Sequence, residues 1–246
     1  MSLFNRSLFC LASVALLAAP ASAVTINFDE IGSLTHGSII NTQFAPFGID
    51  SITVTNIGGG PDLGVIFDTG FGGSTSDEDL LTPFDGGNLA GMEIGQALII
   101  QENTTGCGDG VCNNPDDEGS RPAGNFDIAF TTSVLSFGFD IVDVDSTTAE
   151  LGNVMFFDGA SSVTIQWTDF EAGGAFAVPG LVFANNFANR IPEITAAELG
   201  LSQFDRIVIN MGGSGAVDTF TFLPIPEPTT AILFGLGLAA LATRRN

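Results

Sequence analysis

Carboxylates are the groups in this chain best placed to do chemistry, and they gather in three stretches. The first runs Phe67-Asp68-Thr69-Gly70-Phe71-Gly72-Gly73-Ser74-Thr75-Ser76-Asp77-Glu78-Asp79-Leu80, a glycine-rich loop closing on an acidic triplet. Ca2+ takes about six to eight oxygen ligands at loose geometry, which such a loop supplies from carboxylates and backbone carbonyls. Asp68, Asp77 and Asp79 are its candidate ligands, at a spacing other than that of the EF-hand loop. The second is Asn27-Phe28-Asp29-Glu30, just after the first apolar run, taken with Asp218 just before the last. In a sandwich those two ends lie close, so a structural Ca2+ on Asp29, Glu30 and Asp218 would tie the termini together. The third is Asp109 with Asn113-Asn114-Pro115-Asp116-Asp117-Glu118. At every one of these places the competing reading is a turn held by Asx side chains.

Other chemistry is thinly provided. His36 is the single histidine, lysine is absent, and neither a Gly-x-Ser-x-Gly elbow nor a His-Glu-x-x-His pair occurs. Two carboxylates suffice for a glycosidase, but no pair is singled out. The expectation is a non-enzyme. Cys107 and Cys112, in Cys-Gly-Asp-Gly-Val-Cys, read as a disulfide rather than half a zinc site, because no second cysteine pair or neighbouring histidine accompanies them.

The elements that must position these groups are strands. Short β-branched and aromatic runs alternate with Gly, Asn, Asp and Pro clusters, which predicts strands over 24–28, 51–57, 64–67, 96–102, 125–131, 134–142, 153–157, 161–168, 181–184, 206–211 and 219–223. One short helix is expected over 195–201, with Thr195 as cap and Glu198 three residues on. The pattern is that of an all-β chain, a single antiparallel β-sandwich of jelly-roll type over 24–223. Phe137, Phe139 and Ile141 share one face, and Asp143 and Asp145 take up the same parity unless the strand stops at Val142 or is bulged there. The 22 phenylalanines supply enough apolar matter for a core despite the charge. All of the 28 carboxylates except Glu227 fall in this span, against Arg121, Arg190 and Arg206 alone. Such a field repels nucleic acid and anionic head groups and attracts divalent cations.

Both extremities have a different character. Residues 1–23 carry Arg6, an apolar core and Ala21-Ser22-Ala23, the three parts of a secretory signal peptide with cleavage expected before Val24. At the other end stand Pro226-Glu227-Pro228, an apolar run from Ala231 to Ala242, and Arg244-Arg245. That run has no polar face and ends on positive charge, as a membrane helix does. A helix over 229–243 would rise about 22 Å, short of the roughly 30 Å hydrocarbon core, so it makes a marginal and hence transient anchor. The order of tripeptide, apolar segment and Arg pair resembles the PEP-CTERM sorting signal of Gram-negative bacteria. The resemblance implies that 224–246 is read by exosortase, a membrane-embedded cysteine protease, which cuts near Pro226-Glu227-Pro228 and releases the passenger from the inner membrane to the cell surface or matrix.

The passenger itself resembles exported sandwiches of this class through Ile26-Asn27-Phe28-Asp29, the acidic triplet loop and Ala216-Val217-Asp218-Thr219-Phe220. These are similar in turn to galactose-binding-like and carbohydrate-binding modules, where calcium near the first and last strands is common; carried over, Asp29, Glu30 and Asp218 are its ligands. Trp167 is the lone aromatic of the kind that stacks on sugars, and its alternating strand favours a place in the core. The expected function is an exported, transiently anchored surface or matrix protein associated with exopolysaccharide. A calcium-dependent carbohydrate-binding module is the alternative, and a glycoside hydrolase of the same fold the more distant one.

Overall fold

The computed structural model describes residues Ser22–Ile225. Residues 1–21 of the expected signal peptide, Pro226-Glu227-Pro228, the apolar run and Arg244-Arg245 lie outside the described residues. Among the described residues no helix is long and apolar enough to cross a membrane.

The described residues form thirteen strands: β1 (Val24–Ile26), β2 (Ile39–Ile40), β3 (Ile49–Asn56), β4 (Gly64–Asp68), β5 (Gln96–Ile100), β6 (Cys107–Gly108), β7 (Val111–Cys112), β8 (Gly124–Val142), β9 (Asn153–Asp158), β10 (Ser161–Gln166), β11 (Ala188–Thr195), β12 (Phe204–Met211) and β13 (Ala216–Pro224). The architecture turns on β8, which serves both layers. Its first half pairs with β3 and β12, and its second half with β11 and β13. The change of partners falls at Thr131-Thr132-Ser133, where the sequence reading ended one strand and began another. One layer is therefore β10-β9-β12-β8-β3 and the other β11-β8-β13-β5-β4-β2, with β1 on β13; all pairings are antiparallel. The chain is an all-β sandwich.

Alternation fills the space between the layers. Phe126, Ile128 and Phe130 from the first half of β8 meet Phe137, Phe139 and Ile141 from the second, joined by Phe28, Phe156, Phe204, Phe220 and Phe222. Phe130 and Phe137 stand 6.0 Å apart between ring centroids, and Phe28 and Phe220 5.4 Å. Removing one such ring costs about 3–5 kcal/mol. Trp167 is 1 % exposed and packs against Phe139, Phe170 and Phe183.

The outer face of the second layer is covered as well. Val65, Phe67, Ala97, Ile99, Val142, Ala188 and Ala216 point outward beneath Leu80, Phe84, Leu89 and Ile94 from the long connection between β4 and β5. Residues of that face with polar side chains are consequently buried too, which sets up the chemistry below.

Several expectations need correction. Residues 181–184 form no strand; the strand that follows is β11, which carries Pro192 and is bulged between Ile191 and Ile194 because proline has no N–H for the ladder. The expected strand over 161–168 stops at Gln166, and Trp167–Phe170 makes one turn of α-helix closed by a Gln166/Asp169 capping box. The helix expected over 195–201 is a single 3-10 turn, Ala197–Leu199, although Thr195 and Glu198 do make the reciprocal bonds foreseen. Cys107 and Cys112 are joined in a disulfide. Their small hairpin, β6–β7, lies beside β2: Ile39 N–H donates to Gly110 O and Cys112 N–H to Gly37 O.

Candidate functional site

Two groups of buried carboxylates stand out. The first is at the end of the sandwich where β8 stops. Asp143 follows Val142 directly with φ +59°, left-handed backbone that turns the chain away from the sheet. Its carboxylate is 1 % exposed and accepts the Asn186 N–H at 2.6 Å. Asn186, itself at φ +55°, donates through Nδ2 to the carbonyls of Asp79 and Leu81, which brings the acidic triplet alongside. Asp77 accepts the Asp117 N–H, and the Asp117 carboxylate accepts the Gly215 N–H. A cleft of about 600 Å³ opens here, lined by Thr75, Glu78, Asp79, Asp85, Asn185 and Asn186. Arg121 is the neighbouring cation and is engaged by Asp145 at 2.8 Å and Glu150 at 2.9 Å.

Burial dominates the electrostatics of this group. It raises Asp143 to about 7 and Asp77 to about 6, with neighbouring carboxylates adding to the effect. Asp117 is pushed well above the ordinary carboxylate range by burial and by the Asp77 charge. Asp79 is raised too, again mainly by burial.

The second group lies midway along β8 and β13, on the covered outer face. Asp140 and Asp218 are direct cross-strand partners, each 1 % exposed. Arg190 on β11 clamps Asp140 with Nε at 2.8 Å and Nη2 at 2.7 Å. Asp218 accepts the Thr219 hydroxyl on Oδ2, the Thr219 and Phe28 backbone also favour its charged form, and its Oδ1 is buried with no close hydrogen-bond partner. A bulge in β13 after Asp218, with Thr219 at φ +46°, breaks the register here. Burial raises Asp218 to about 7. Beside this pair is a cleft of about 290 Å³ lined in part by Asn27, Glu30, Glu93, Asp140, Arg190 and Thr219.

The residues singled out from sequence are thus distributed, not gathered. Pairing of β1 with β13 brings the first and last strands together as expected, with Val24 opposite Phe222. Glu30 reaches the cleft beside Asp218, but Asp29 turns away to accept the Gln96 N–H at 3.0 Å. Gly95 leaves it room: a Cβ there would fall 2.2 Å from Asp29 Oδ2. Asp68 caps its own turn by accepting the Gly70 N–H. Among the described residues no three carboxylate, histidine or cysteine side chains converge closely enough to hold a metal ion. His36 has Nδ1 taken by the Asp68 N–H at 3.1 Å and its ring stacked on Phe71 at 4.1 Å; burial lowers its pKa. Sequence reasoning missed Asp140 and Arg190, whose partnership spans 50 positions. The one available signal was an aspartate interrupting the apolar run of β8.

Residues 224–246 match the PEP-CTERM protein-sorting motif. The motif implies export, a transient C-terminal membrane anchor, processing by exosortase and later location at the surface. No curated protein matches the chain. The crystal structure of the K2 cleaved adhesin domain of Lys-gingipain is similar at 12% identity and a TM-score of 0.38, over 82% of this chain and 99% of that one. At that score the likeness transfers nothing to this chain.

Proposed function

We propose that the protein is a non-enzymatic component of the cell surface or extracellular matrix, held there through exopolysaccharide after exosortase releases it. The observation that carries this is the sorting motif following directly on β13 of a domain whose carboxylates far outnumber its cations. Each of its three arginines is already engaged: Arg121 by Asp145 and Glu150, Arg190 by Asp140, and Arg206 by Asp127. The uncompensated charge keeps a released protein soluble and selects partners that are neutral or bridged by cations. To test it, cells making the protein with Pro226-Glu227-Pro228 replaced by alanines are fractionated beside the unaltered strain. Retention in the membrane supports sorting, and normal release refutes it. Deleting exopolysaccharide synthesis should then shift the released protein from the cell surface to the medium; unchanged distribution refutes the glycan part alone.

One observation favours a second element, a structural Ca2+ near the paired termini. Asp218 Oδ1, buried without a close partner, and Glu30, which lines the cleft beside Thr219 and Asp140, are hard oxygen donors of the kind that ion takes. Arg190 already neutralises Asp140, which leaves Asp218 and Glu30 as the residues to hold it. Ca2+ titrated into the chelated protein should raise its melting temperature by several degrees and lose that effect in Asp218→Asn. An unchanged melt removes calcium from the account.

A further inference from the structure

We propose that the outer face of the layer β10-β9-β12-β8-β3 is a binding surface for a neutral polysaccharide chain, laid flat across its strands. The inference rests on the exopolysaccharide association proposed above, and it names the surface responsible and the charge class of the glycan.

Strand register fixes what that face presents. Residues directly opposite in an antiparallel ladder point the same way, so three rows of five side chains cross the layer. The first row is Gln166, Asn153, Asn210, Asn125 and Thr55. The second holds Met155, Val208 and Asp127, the third Phe157 and Arg206, and the remaining places are Thr, Ser and Ala. Their neighbours in sequence, such as Val154, Phe156, Ile128 and Ile209, point the other way into the core. The outer face of the second layer lies beneath Leu80, Phe84, Leu89 and Ile94, whereas this one is open. Thr53, Thr55, Thr164 and Gln166 are exposed, and Asn125, Asn153, Asn210, Met155 and Phe157 are half-buried.

Charge sets this face apart. The chain has a formal net charge of −22, yet the three rows hold only Asp127 and Arg206, which pair at 3.2 Å. The face is therefore neutral. Carboxylates stand at its borders: Asp158, Asp169 and Asp205 each accept a backbone N–H, Asp62 and Glu118 bond Asn56, and Asp50 precedes Ser51. A carboxylate only accepts hydrogen bonds, whereas an amide donates and accepts, as sugar hydroxyls do. Asn is depleted in strands, so strand propensity does not account for one on each of β9, β12 and β8 in a single row. Asn210 Nδ2 donates to Asn153 Oδ1 at 2.8 Å, which aligns the two amides and leaves Asn153 Nδ2 and Asn210 Oδ1 to a ligand. With strands about 4.8 Å apart the row is about 19 Å long, enough for a short run of sugar rings. Met155 and Val208 beside it offer apolar surface to the ring C–H groups, and the Arg206 guanidinium lies 4.0 Å over the Phe157 ring as a flat border.

The test is electrophoresis of the chain from Val24 to Asn246, in a detergent without a sugar headgroup, through native gels. These are cast with neutral dextran, galactomannan or mixed-linkage β-glucan, with anionic alginate, or with exopolysaccharide purified from the producing cells. At least one neutral polymer should retard the protein, with or without EDTA, and alginate should not. Asn153→Ala with Asn210→Ala should weaken the retardation roughly tenfold. Thr164→Glu, at an exposed position of β10, should weaken it several-fold with the urea midpoint unmoved. No retardation by any neutral polymer overturns the proposal. Retardation by the cells' exopolysaccharide that survives both variants leaves the association standing and removes this surface from it; no retardation by that material removes both. A dimer in sedimentation that Thr164→Glu dissociates means that a second copy covers the face, and overturns the proposal too.

Discussion

Raising the pH from about 4 to about 7 should destabilise this protein, and Asp143→Asn should abolish part of that loss. Asp143 has a folded-state pKa of about 7 against an unfolded value of 3.8, because burial penalises its charged form. The folded state therefore binds more protons than the unfolded state between those values, and stability falls as pH rises through that window. The penalty is absent below about pH 4 and complete above about pH 7. A gap of about three pH units at 1.4 kcal/mol each corresponds to on the order of 4 kcal/mol, an upper figure. Asparagine keeps the acceptor for the Asn186 N–H, tolerates the left-handed backbone at φ +59°, and carries no charge to bury. In EDTA at pH 8 the variant should melt roughly 10 °C above the parent, at about 2–4 °C per kcal/mol for a domain of this size. At pH 4.5 the gap should shrink to about 2–4 °C. Calorimetry across that range checks it. A parent melting temperature that is flat or rises from pH 5 to 8, or an equal gap at both pH values, refutes the assignment of the penalty to this carboxylate.

Two more outcomes follow from the same structure. Arg190→Met strips both charge-assisted bonds from Asp140 and leaves a carboxylate 1 % exposed without a partner. With the arginine itself half exposed, the cost should sit near the low end of about 3–5 kcal/mol in urea unfolding, and Asp140→Asn in the same chain should recover part of it. Reducing Cys107–Cys112, only five positions apart, should cost well under the roughly 3 kcal/mol of a fifteen-residue loop, so the thermal midpoint under dithiothreitol should drop by a few degrees at most.

The layers were legible because their signal is local. Phe137, Phe139 and Ile141 declare a buried face by alternation alone, and the halt of β8 at Val142 follows from Asp143 arriving on the same parity. Trp167 was placed in the core by the same reasoning. What stayed hidden depends on contacts far apart in the chain. The Thr131-Thr132-Ser133 bend reads as a break because polar β-branched residues punctuate loops and corners alike, and only the partners β3 and β13 distinguish them. Strand β11 was concealed by Pro192, which propensity counts against a strand and a bulge accommodates. The structure distributes the candidate ligands instead of gathering them. Asp29 and Glu30 are adjacent, yet one is bonded to Gln96 and the other reaches the cleft beside Asp218. No spacing rule anticipates Asp140 facing Asp218 across a ladder, with a guanidinium from a third strand holding one and not the other.

The hairpin beside β2 has a consequence for life outside the cell. A two-residue border strand such as Ile39–Ile40 would otherwise offer bare amides and carbonyls on which another copy could grow. By occupying that rail from within, as a hairpin whose own two strands are crosslinked, the 107–112 clip closes one route by which copies could polymerise into fibres.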